Sequence, residues 1–384
     1  MPPEIQNDST AQLTILQVLP ALKMGGVERG TIEFAHHLKQ QGHRPIIVSG
    51  GGPLVAELDA HQIEHITLNV GKKSLSSLLS IKKLQRIILD FQVDVVHARS
   101  RLPAWLCYWA IKRMKLSAKP KFVTTLHGLH SVNRYSSIMA RGDAVIAVST
   151  TAKGYLEKNF DTHLKAEPEL IYRGIDEQFD YAHQADPAWL KAFQHKLSDE
   201  LSNQQAFKKV LMPGRLSQIK GVEHLIVWLE STSHTCKLLF TAQQDESNYS
   251  QKVKQLFDQH QLSDRVVWLG VERDMADLYA SVDLVVSVNN KAESFGRTVL
   301  EALSVGTPVV AFSHGGVAEI MSELYPEGQV KAGDDVKLAE RMDAFLTDPP
   351  KVQAHEKFSN LSMFEKTMAV YQNLFTAKIV SEKA

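Results

Sequence analysis

The segment DLVVSVNNKAESFGRTVLEALSVGTPVVAF, residues 283–312, predicts the fold of this chain most directly. It opens with an apolar, β-branched run, Leu284–Val288, passes through a polar loop, and continues with helical spacing over residues 296–305. A second apolar run, Pro308–Phe312, follows. Apolar strands separated by a helix are typical of a parallel sheet that is buried on both faces. The segment therefore predicts a β-α-β unit with a right-handed crossover.

The same alternation extends over most of the chain. The strands predicted besides those two are Thr14–Leu19, Pro45–Ser49, His65–Val70, Val93–Ala98, Phe122–Leu126, Ala144–Val148, Val210–Met212, Lys237–Thr241 and Val266–Leu269. The other predicted helices lie near 27–41, 76–91, 102–116, 221–230, 248–260 and 274–281. This pattern predicts an α/β protein with two doubly wound parallel sheets, each in a Rossmann-like domain.

The alternation pauses in a polar stretch around Asp176 to Gln205, which predicts the boundary between the domains. The predicted parts, in order, are a flexible N-terminus over 1–12, a first domain over 13–180, a linker over 181–206, a second domain over 207–350 and C-terminal helices over 351–384. Because no strand follows those last helices, they could pack back on the first domain.

The composition is that of an ordinary globular protein without net charge. Among 384 residues, 43 Lys and Arg balance 43 Asp and Glu, and 44% are hydrophobic. The longest uncharged apolar stretch, Leu102–Ile111, is about half as long as a membrane-spanning helix. The polar start MPPEIQNDST does not resemble a secretory signal. Two cysteines, Cys107 and Cys236, favour a reducing compartment over a disulfide framework, so we expect a cytoplasmic protein.

The zero net charge is a cancellation between two oppositely charged halves. Residues 1–175 hold 22 Lys and Arg against 14 Asp and Glu, whereas residues 176–384 hold 21 against 29. Twelve basic residues lie within 71–121, opposed only by Asp90 and Asp94. This segment predicts docking on an anionic membrane, peripherally on the inner face of the cytoplasmic membrane; a solvated helical face is the alternative. It matches no nucleic-acid-binding module, so we expect no nucleic acid partner.

Two carboxylates of the opening segment, Glu293 and Glu301, are candidates for chemistry. Eight residues along a helix advance by about 80°, so both side chains can face one cleft beyond the strand ends. The residues SFGR at 294–297 would place backbone N–H groups at a helix N-terminus, which favours an anion such as phosphate. Glu301 could then accept hydrogen bonds from two ribose hydroxyls. Alternatively, Glu293 only complements the helix dipole and Glu301 faces solvent.

A second candidate segment, PGRLSQIKG at 213–221, follows the first predicted strand of the second domain. Its glycines, Gly214 and Gly221, permit a tight, open loop. Arg215 and Lys220 would project from it, and an Arg that binds phosphate oxygens in pairs beside a Lys point charge suits a diphosphate. A solvated basic loop is the alternative. Both segments follow strands of one predicted sheet, which favours a shared nucleotide site.

These residues resemble the family 4 retaining glycosyltransferases of the GT-B fold, the bacterial glycosyltransferase group 1. The resemblance rests first on GRLSQIKG at 214–221 and on ESFGRTVLEALSVGTPVVAFSHGGVAEI at 293–320. Further matching segments, in the family's order, are GGVE at 25–28, HARSRLPAW at 97–105, TTLHG at 124–128, GDAVIAVS at 142–149 and YRGID at 172–176. One departure is Arg173, where many members have Asn before the Gly.

The resemblance implies two Rossmann-like domains that face a central cleft, and sugar transfer with retention of the anomeric configuration. The donor would be a nucleotide-diphosphate sugar, with a UDP-sugar favoured, and the reaction would need neither a cofactor nor a metal. The acceptor would be a lipid-linked or lipopolysaccharide-type glycan of cell-envelope polysaccharide biosynthesis.

The resemblance also implies roles for single residues. Arg215 and Lys220 would hold the donor diphosphate and stabilise the charge that develops as the sugar leaves. Glu301 would bind the ribose, and Glu293 would face hydroxyls of the transferred sugar. The other implied donor-site residues are Gly25, Gly26, Phe295, Gly296, Arg297 and Thr298.

Two further matches have a structural alternative. His127 would lie across the cleft near the sugar and phosphate, or it is a hydrogen-bonded core histidine. Gly315-Gly316 and Glu319 resemble the family's Gly-Gly-x-x-Glu segment, but a turn that enters a helix would explain them equally well.

Other reaction classes fit the sequence less well. A nicotinamide enzyme needs Gly-x-Gly-x-x-Gly, and the nearest candidate, at 50–52, lacks the third glycine. A P-loop is absent, and so is the Asp-x-Asp of metal-dependent GT-A transferases. Two alternatives stay open: a sugar-nucleotide epimerase with the GT-B fold, which would need no acceptor, and a non-catalytic scaffold that binds membranes.

Overall fold

The protein, described here by a computed structural model, consists of two compact units. Unit 1 runs to Val148 and also includes Ala152–Ile171 and the residues from Phe364 onward; unit 2 holds Ser149–Thr151 and Tyr172–Met363. The residues that the structure describes are 12–23, 25–72, 77–115, 119–181, 183–199, 206–242 and 248–381. Residues 1–11 of the predicted flexible N-terminus lie outside these ranges.

Unit 1 is built on a seven-stranded parallel sheet. Its strands are β1 (Thr14–Val18), β2 (Arg44–Ser49), β3 (Glu64–Thr67), β4 (Val95–Ala98), β5 (Lys121–Leu126), β6 (Ala144–Ala147) and β7 (Glu169–Leu170). Its helices are α1 (Gly26–Gln40), α2 (Val55–Ala60), α3 (Ser77–Asp90), α4 (Arg101–Lys112) and α5 (Thr150–Phe160). The strands lie in the order β3-β2-β1-β4-β5-β6-β7, so the order reverses between β1 and β4. Strand residues such as Ile15 and Val95 are fully buried, as sheets covered by helices on both faces require.

Unit 2 repeats this plan with a six-stranded parallel sheet. Its strands are β8 (Lys208–Met212), β9 (Cys236–Phe240), β10 (Val266–Trp268), β11 (Leu284–Ser287), β12 (Val309–Phe312) and β13 (Gln329–Val330). Its helices are α6 (Pro187–Asp199), α7 (Leu225–Ser231), α8 (Asn248–Gln259), α9 (Met275–Ala280), α10 (Arg297–Val305), α11 (Gly315–Leu324) and α12 (Asp335–Thr347), and a last helix, α13 (Asn360–Ser381), follows. The order β10-β9-β8-β11-β12-β13 reverses between β8 and β11. The predicted class, two doubly wound parallel α/β domains, is confirmed.

Several elements differ from the predicted ones. The helix expected over 221–230 begins only at Leu225, because Gly221 adopts a left-handed conformation and short 3-10 turns flank it. The segment predicted as a linker, 181–206, contains α6, which groups with unit 2. Strands β7 and β13 are two residues long, too short for a periodic signal.

Two absences hold for the described part of the chain. No helix in it is both long and apolar enough to cross a membrane. No cluster of three His, Cys, Asp or Glu side chains in the same ranges is arranged to hold a metal ion.

The last helix, α13, completes unit 1. Its first residues, up to Met363, group with unit 2, and its remainder, from Phe364, groups with unit 1. The Phe364 ring centroid lies 5.4 Å from that of Phe34 on α1, and the Tyr371 ring lies 6.0 Å from the same Phe34. The C-terminal helix therefore covers α1, which buries Phe34 and Leu38 on its inner face.

His97, on β4, is bound by side chains on both of its ring nitrogens. Its Nδ1 lies 2.6 Å from the Tyr371 hydroxyl, and its Nε2 lies 2.7 Å from Oγ1 of Thr125 on β5. Burial, with help from the Arg99 cation, lowers the pKa of His97 well below its ordinary value. The ring is therefore neutral and needs one donor and one acceptor, which the two hydroxyls supply.

We expect Tyr371→Phe to loosen unit 1 around β4. The ring still packs on Phe34, but a nitrogen of buried His97 loses its partner, which costs about 1–3 kcal/mol. Amide hydrogen exchange across β4, followed by mass spectrometry, should accelerate by about 5–150-fold.

Tyr181→Phe is the matched control for this prediction. The Tyr181 hydroxyl donates to the Val352 carbonyl at 2.8 Å within unit 2, so its loss should leave exchange across β4 unchanged. Wild-type exchange across β4 in Tyr371→Phe would contradict the role given to the Tyr371 hydroxyl.

Candidate active site

The sequence candidates of unit 2 gather where the strand order of its sheet reverses. Strands β8 and β11 are neighbours, but β8 continues toward β9 on one side and β11 toward β12 on the other. Such a switch point leaves a crevice beyond the carboxyl ends of the strands, where ligands bind in open α/β sheets. The loops that follow β8 and β11 form the two walls of this crevice.

Two glycines in a left-handed conformation shape the loop after β8. Gly214, at a φ of +103°, donates its N–H to Oγ1 of Thr241 at 2.7 Å. Gly221 has a φ of +65°, and a Cβ there would lie 2.2 Å from the carbonyl oxygen of Val288, which follows β11. Glycine at 221 thus lets the two walls touch backbone to backbone, and any larger residue would push them apart.

Asn290 joins the two walls by hydrogen bonds. Its backbone N–H donates to the Ile219 carbonyl at 2.7 Å, and its Nδ2 donates to the Gln218 carbonyl at 2.9 Å. Its Oδ1 lies 2.7 Å from Nε2 of His224. Sequence reasoning missed Asn290. The available signal was the pair of Asn residues directly after a buried strand, because Asn side chains often form hydrogen bonds with nearby backbone.

Asn289, the other member of this pair, was also missed. It is 2% exposed, and neither its amide nitrogen nor its amide oxygen has a hydrogen-bond partner among the described residues. Buried polar groups are nearly always hydrogen-bonded in folded proteins. A buried amide with unused donors and acceptors at a switch point is therefore a candidate ligand-binding group.

The two cations of the first wall lie in different surroundings. Lys220 extends over Gly214, and its Nζ lies 3.4 Å from Oε1 of Glu293 on the second wall. The Lys220 side chain is 17% exposed and that of Glu293 is 29% exposed. Arg215 is exposed and has no carboxylate partner within the described ranges. The structure therefore brings Lys220 and Glu293 together and leaves Arg215 at the surface.

The glycine pair at the start of α11 holds the backbone of the second wall. The Gly316 N–H donates to the Glu293 carbonyl at 2.8 Å. A Cβ at Gly316 would lie 2.4 Å from Cα of Phe295, and one at Gly315, where φ is +61°, would lie 2.6 Å from the Glu293 carbonyl oxygen. Only glycine permits this approach. The pair therefore enters a helix, as one alternative stated, and also positions the segment that carries Glu293.

Helix α10 begins at the crevice, with Gly296 as its N-terminal cap. Gly296 has a φ of +104°, and a Cβ there would lie 2.7 Å from Cγ2 of Val317. Phe295 is buried just before the helix, and Arg297 and Thr298 are half-buried in its first turn. The first N–H groups of a helix lack intrahelical acceptors and carry partial positive charge. The start of α10 thus offers an anion a favourable position at the same crevice.

Glu301, one turn further along α10, is buried. Its Oε2 accepts a hydrogen bond from the Tyr279 hydroxyl at 3.0 Å, and its Oε1 accepts one from Nε of Arg297 at 2.6 Å. Burial, together with the Glu301 carboxylate, raises the pKa of Tyr279 well above its ordinary value. The alternative that Glu301 faces solvent is wrong, since the residue is only 7% exposed. Each oxygen keeps a second lone pair, so the carboxylate can still accept bonds from a ligand.

Glu319 accepts hydrogen bonds inside unit 2, which includes the first two residues of α5, Thr150 and Thr151. Its carboxylate accepts the backbone N–H groups of Thr150 and Thr151 at 2.9 and 2.7 Å, and the Tyr172 hydroxyl at 3.0 Å. These bonds explain a carboxylate at this position without a ligand. Arg173, which departs from the family pattern, is half-buried in the same unit.

Three sequence candidates, Gly25, Gly26 and His127, belong to unit 1. Gly25 is the N-terminal cap of α1, which begins at Gly26, and its φ of −135° is open to any residue. A Cβ there would meet first the flexible end of Glu28, so the fold of unit 1 does not by itself require glycine. His127 follows β5 directly and is half-buried. All three lie at the carboxyl edge of the unit 1 sheet.

Two family models match the chain and together cover most of it. The model described as Glycosyltransferase Family 4 matches residues 24–179, and the model described as Glycosyl transferases group 1 matches residues 194–360. The crystal structure of a glycosyltransferase from Rickettsia africae ESF-5 is 30% identical, with a TM-score of 0.76 over 95% of this chain and 99% of that one.

Two further similar proteins extend over nearly the whole chain. N-acetyl-alpha-D-glucosaminyl L-malate synthase of Bacillus anthracis is 24% identical over 373 residues, which cover 91% of this chain and 90% of that protein. The structure of Anabaena HepE in complex with UDP and glucose is 21% identical, with a TM-score of 0.71 over 97% and 100% of the two chains. With two parallel sheets whose order reverses at the candidate loops, and with these matches, the chain belongs to the family 4, or group 1, glycosyltransferases and has their GT-B fold.

Proposed function

We propose that this glycosyltransferase moves a sugar from a UDP-sugar to a lipid-linked or lipopolysaccharide-type glycan, with retention of configuration and without a metal. The observation that carries the donor half of the proposal is the Lys220–Glu293 pair, 3.4 Å apart at the switch point of unit 2. The adjacent start of α10 adds the partial charge that an anion needs. A nucleotide diphosphate matches both features, since it is anionic and carries a sugar beside its phosphates.

Lys220 would neutralise the diphosphate as the glycosidic bond breaks. The pair with Glu293 and the contact with Gly214 hold its ammonium group at the crevice before a donor binds. A positioned cation of this kind stabilises developing charge without reorganisation during the reaction. Arg215, exposed on the same loop, would close on the outer phosphate oxygens. Glu293 would keep one carboxylate oxygen for hydroxyls of the transferred sugar.

Retention would follow from attack on the face that the diphosphate leaves. The acceptor hydroxyl forms the new bond to the anomeric carbon while the bond to the diphosphate oxygen breaks, and the departing phosphate takes the hydroxyl proton. This scheme needs no covalent nucleophile. An epimerase would instead convert the donor without an acceptor, so turnover of a UDP-sugar alone into a second UDP-sugar would contradict transfer.

The uridine half of the donor would lie toward α10. Glu301 is buried there with spare lone pairs, which suits two ribose hydroxyls. The HepE structure of the same fold holds UDP and glucose, which supports UDP for this chain. Asn289, with its unpartnered amide among the described residues, would give the donor a further polar contact.

The acceptor proposal rests on the family resemblance and on the basic surface of unit 1. Helices α3 and α4 expose Leu79, at 63%, and Trp109, at 37%. The cationic groups of Lys112 and Arg113 lie 5.6 and 5.5 Å from the Trp109 ring centroid. Apolar and aromatic groups between cations are typical of surfaces that dock on anionic membranes. A lipid-linked acceptor would be presented at such a membrane.

We expect Lys220→Ala to lower kcat for transfer from a UDP-sugar by about 10²–10³-fold, because one charge-stabilising group is lost. Initial rates with radiolabelled donor measure the effect, and proton NMR of the product reports the anomeric configuration. Lys254→Ala removes an exposed lysine of α8 and is the control. Equal rates for both variants, or an inverted product, would contradict the proposed chemistry.

We expect Glu301→Gln to weaken recognition of the ribose hydroxyls. Calorimetry with UDP and 2′,3′-dideoxy-UDP forms a double-mutant cycle, in which a coupling of about 1–3 kcal/mol is expected. Tyr279→Phe, which removes a hydrogen bond to Glu301 but keeps the carboxylate, should preserve the preference for UDP. The proposal fails if Glu301→Gln discriminates between the two ligands as well as wild type does.

We expect the protein to sediment with vesicles of phosphatidylcholine and phosphatidylglycerol at low salt, but not with phosphatidylcholine alone. Each exposed cation contributes about 1 kcal/mol, so Lys82→Gln with Lys83→Gln on α3 should weaken binding by about thirtyfold. Lys252→Gln with Lys254→Gln on α8 is the charge-matched control.

Two results would contradict the membrane and acceptor proposals. Equal binding to neutral and anionic vesicles would exclude docking by charge. The name of the Bacillus relative places L-malate in its product, so acceptor assays should include L-malate. Transfer to L-malate but to no lipid-linked glycan would overturn the acceptor class.

A further inference from the structure

A pocket of about 420 Å³ opens at the amino edge of the unit 1 sheet. Lys121 lies at the start of β5, and Arg141 and Asp143 come just before β6. Helix α4 leaves the carboxyl end of β4 and returns to the amino edge, where its last residue, Lys112, reaches the same pocket. Gly25 and His127 follow strands at the carboxyl edge. The pocket is therefore separate from the part of unit 1 that the family resemblance assigns to the donor.

Five basic side chains line this pocket against one carboxylate. They are Lys112, Lys119, Lys121, Arg141 and Lys165, and the carboxylate is that of Asp143. Asp143 is already engaged, because its Oδ1 lies 2.6 Å from Nζ of Lys165 and its Oδ2 accepts the backbone N–H of Phe122 at 2.8 Å.

The other four cations have no carboxylate within ion-pair distance in the described ranges. The neighbouring residues outside those ranges, 116–118, are Leu, Ser and Ala, which carry no charge. Four cations around one concave space, without a carboxylate partner among the described residues, raise the local potential and attract anions. An anionic ligand would supply the missing countercharge.

The C-terminus of α4 explains only part of this charge. Cations stabilise the carbonyl end of a helix, and Nζ of Lys119 donates to the Lys112 carbonyl at 3.2 Å. Lys121 and Arg141 are not placed for that role. Arg141 is held instead by His163, whose Nε2 lies 3.3 Å away, and by stacking 5.8 Å from the Trp105 ring centroid. Its guanidinium is thus positioned before any ligand binds.

The pocket is also larger than a single phosphate. Its volume lies within the range of about 300–1,000 Å³ that is usual for small-molecule sites. Tyr108, Ile111 and Phe122 supply apolar walls beside the cations. A ligand with a terminal phosphate and a carbon-containing remainder would match both parts, since Arg binds phosphate oxygens in pairs.

We propose that this pocket is a binding site for a phosphate ester with a terminal phosphate group. The phosphate lies between Lys121 and Arg141, with Lys112 and Lys119 at the rim, and the carbon-containing part packs on Tyr108 and Phe122. Either a free phosphorylated small molecule or a lipid headgroup presents this chemistry. The site does not depend on the sugar transfer proposed above.

Calorimetric titration with inorganic pyrophosphate at low salt tests the site on the full chain. Lys121→Gln with Arg141→Gln should weaken binding by at least about tenfold, because two charge-assisted contacts are lost. Lys82→Gln with Lys83→Gln removes the same charge from α3 of unit 1, outside the pocket, and should change binding by less than about twofold. All three proteins also carry Lys220→Ala, so that the diphosphate site proposed for unit 2 does not mask binding at the pocket.

A second pocket variant, Lys119→Gln with Lys121→Gln, keeps the test decisive if loss of Arg141 disturbs folding. Its loss of affinity for pyrophosphate should again exceed that of the α3 variant. Circular dichroism confirms that each variant is folded before titration.

Vesicles distinguish the two sources of the phosphate. Phosphatidic acid carries a terminal phosphate and phosphatidylglycerol does not, so a headgroup ligand predicts tighter binding to phosphatidic acid vesicles than to phosphatidylglycerol vesicles. The pocket variants should lose this preference. Lys252→Gln with Lys254→Gln on α8 is the control for the vesicles, because Lys82 and Lys83 belong to the proposed membrane surface, and it should keep the preference. Pocket-dependent pyrophosphate binding without that lipid preference assigns the site to a soluble ligand. The proposal is overturned if the pocket variants bind pyrophosphate as tightly as the α3 variant does and also keep the lipid preference.

Discussion

The common direction of parallel strands is the constraint on which the candidate site depends. Because every strand of the unit 2 sheet ends at the same edge, the loops after β8 and β11 meet, although the residues that carry their charges are 73 positions apart in the chain. The reversal of strand order between these two strands opens the crevice. Lys220, Glu293 and the start of α10 share one place for this reason.

Backbone contact, more than side-chain packing, sets the shape of the crevice. Gly221 touches the backbone at Val288, and Gly316 touches that at Phe295, at distances that exclude a Cβ. Asn290 then joins the walls by hydrogen bonds from its main chain and its side chain. A site built in this way holds its charged groups on rigid supports.

The sequence predicts the elements of this fold well where the periodicity is strong, and the family motifs locate the loops of unit 2. It does not predict contacts that depend on tertiary structure. Tyr279 reaches Glu301 from a preceding helix, and no local pattern indicates that pair. The polar composition of residues 181–206 predicts a linker and gives no sign of α6. The basic pocket joins Lys121, Arg141 and Lys165 from three separate connections, and only the sheet brings them together.

The division of α13 between the units has a consequence for biosynthesis. Tyr371, which binds buried His97 in unit 1, lies 274 positions after it in the chain, so it is synthesised long after β4. At a synthesis rate of about 5–20 residues per second, roughly 10–50 s pass between the synthesis of β4 and that of Tyr371. During that interval α1 lacks the cover that Phe364 and Tyr371 of α13 give to Phe34 in the folded protein, so its apolar face is exposed.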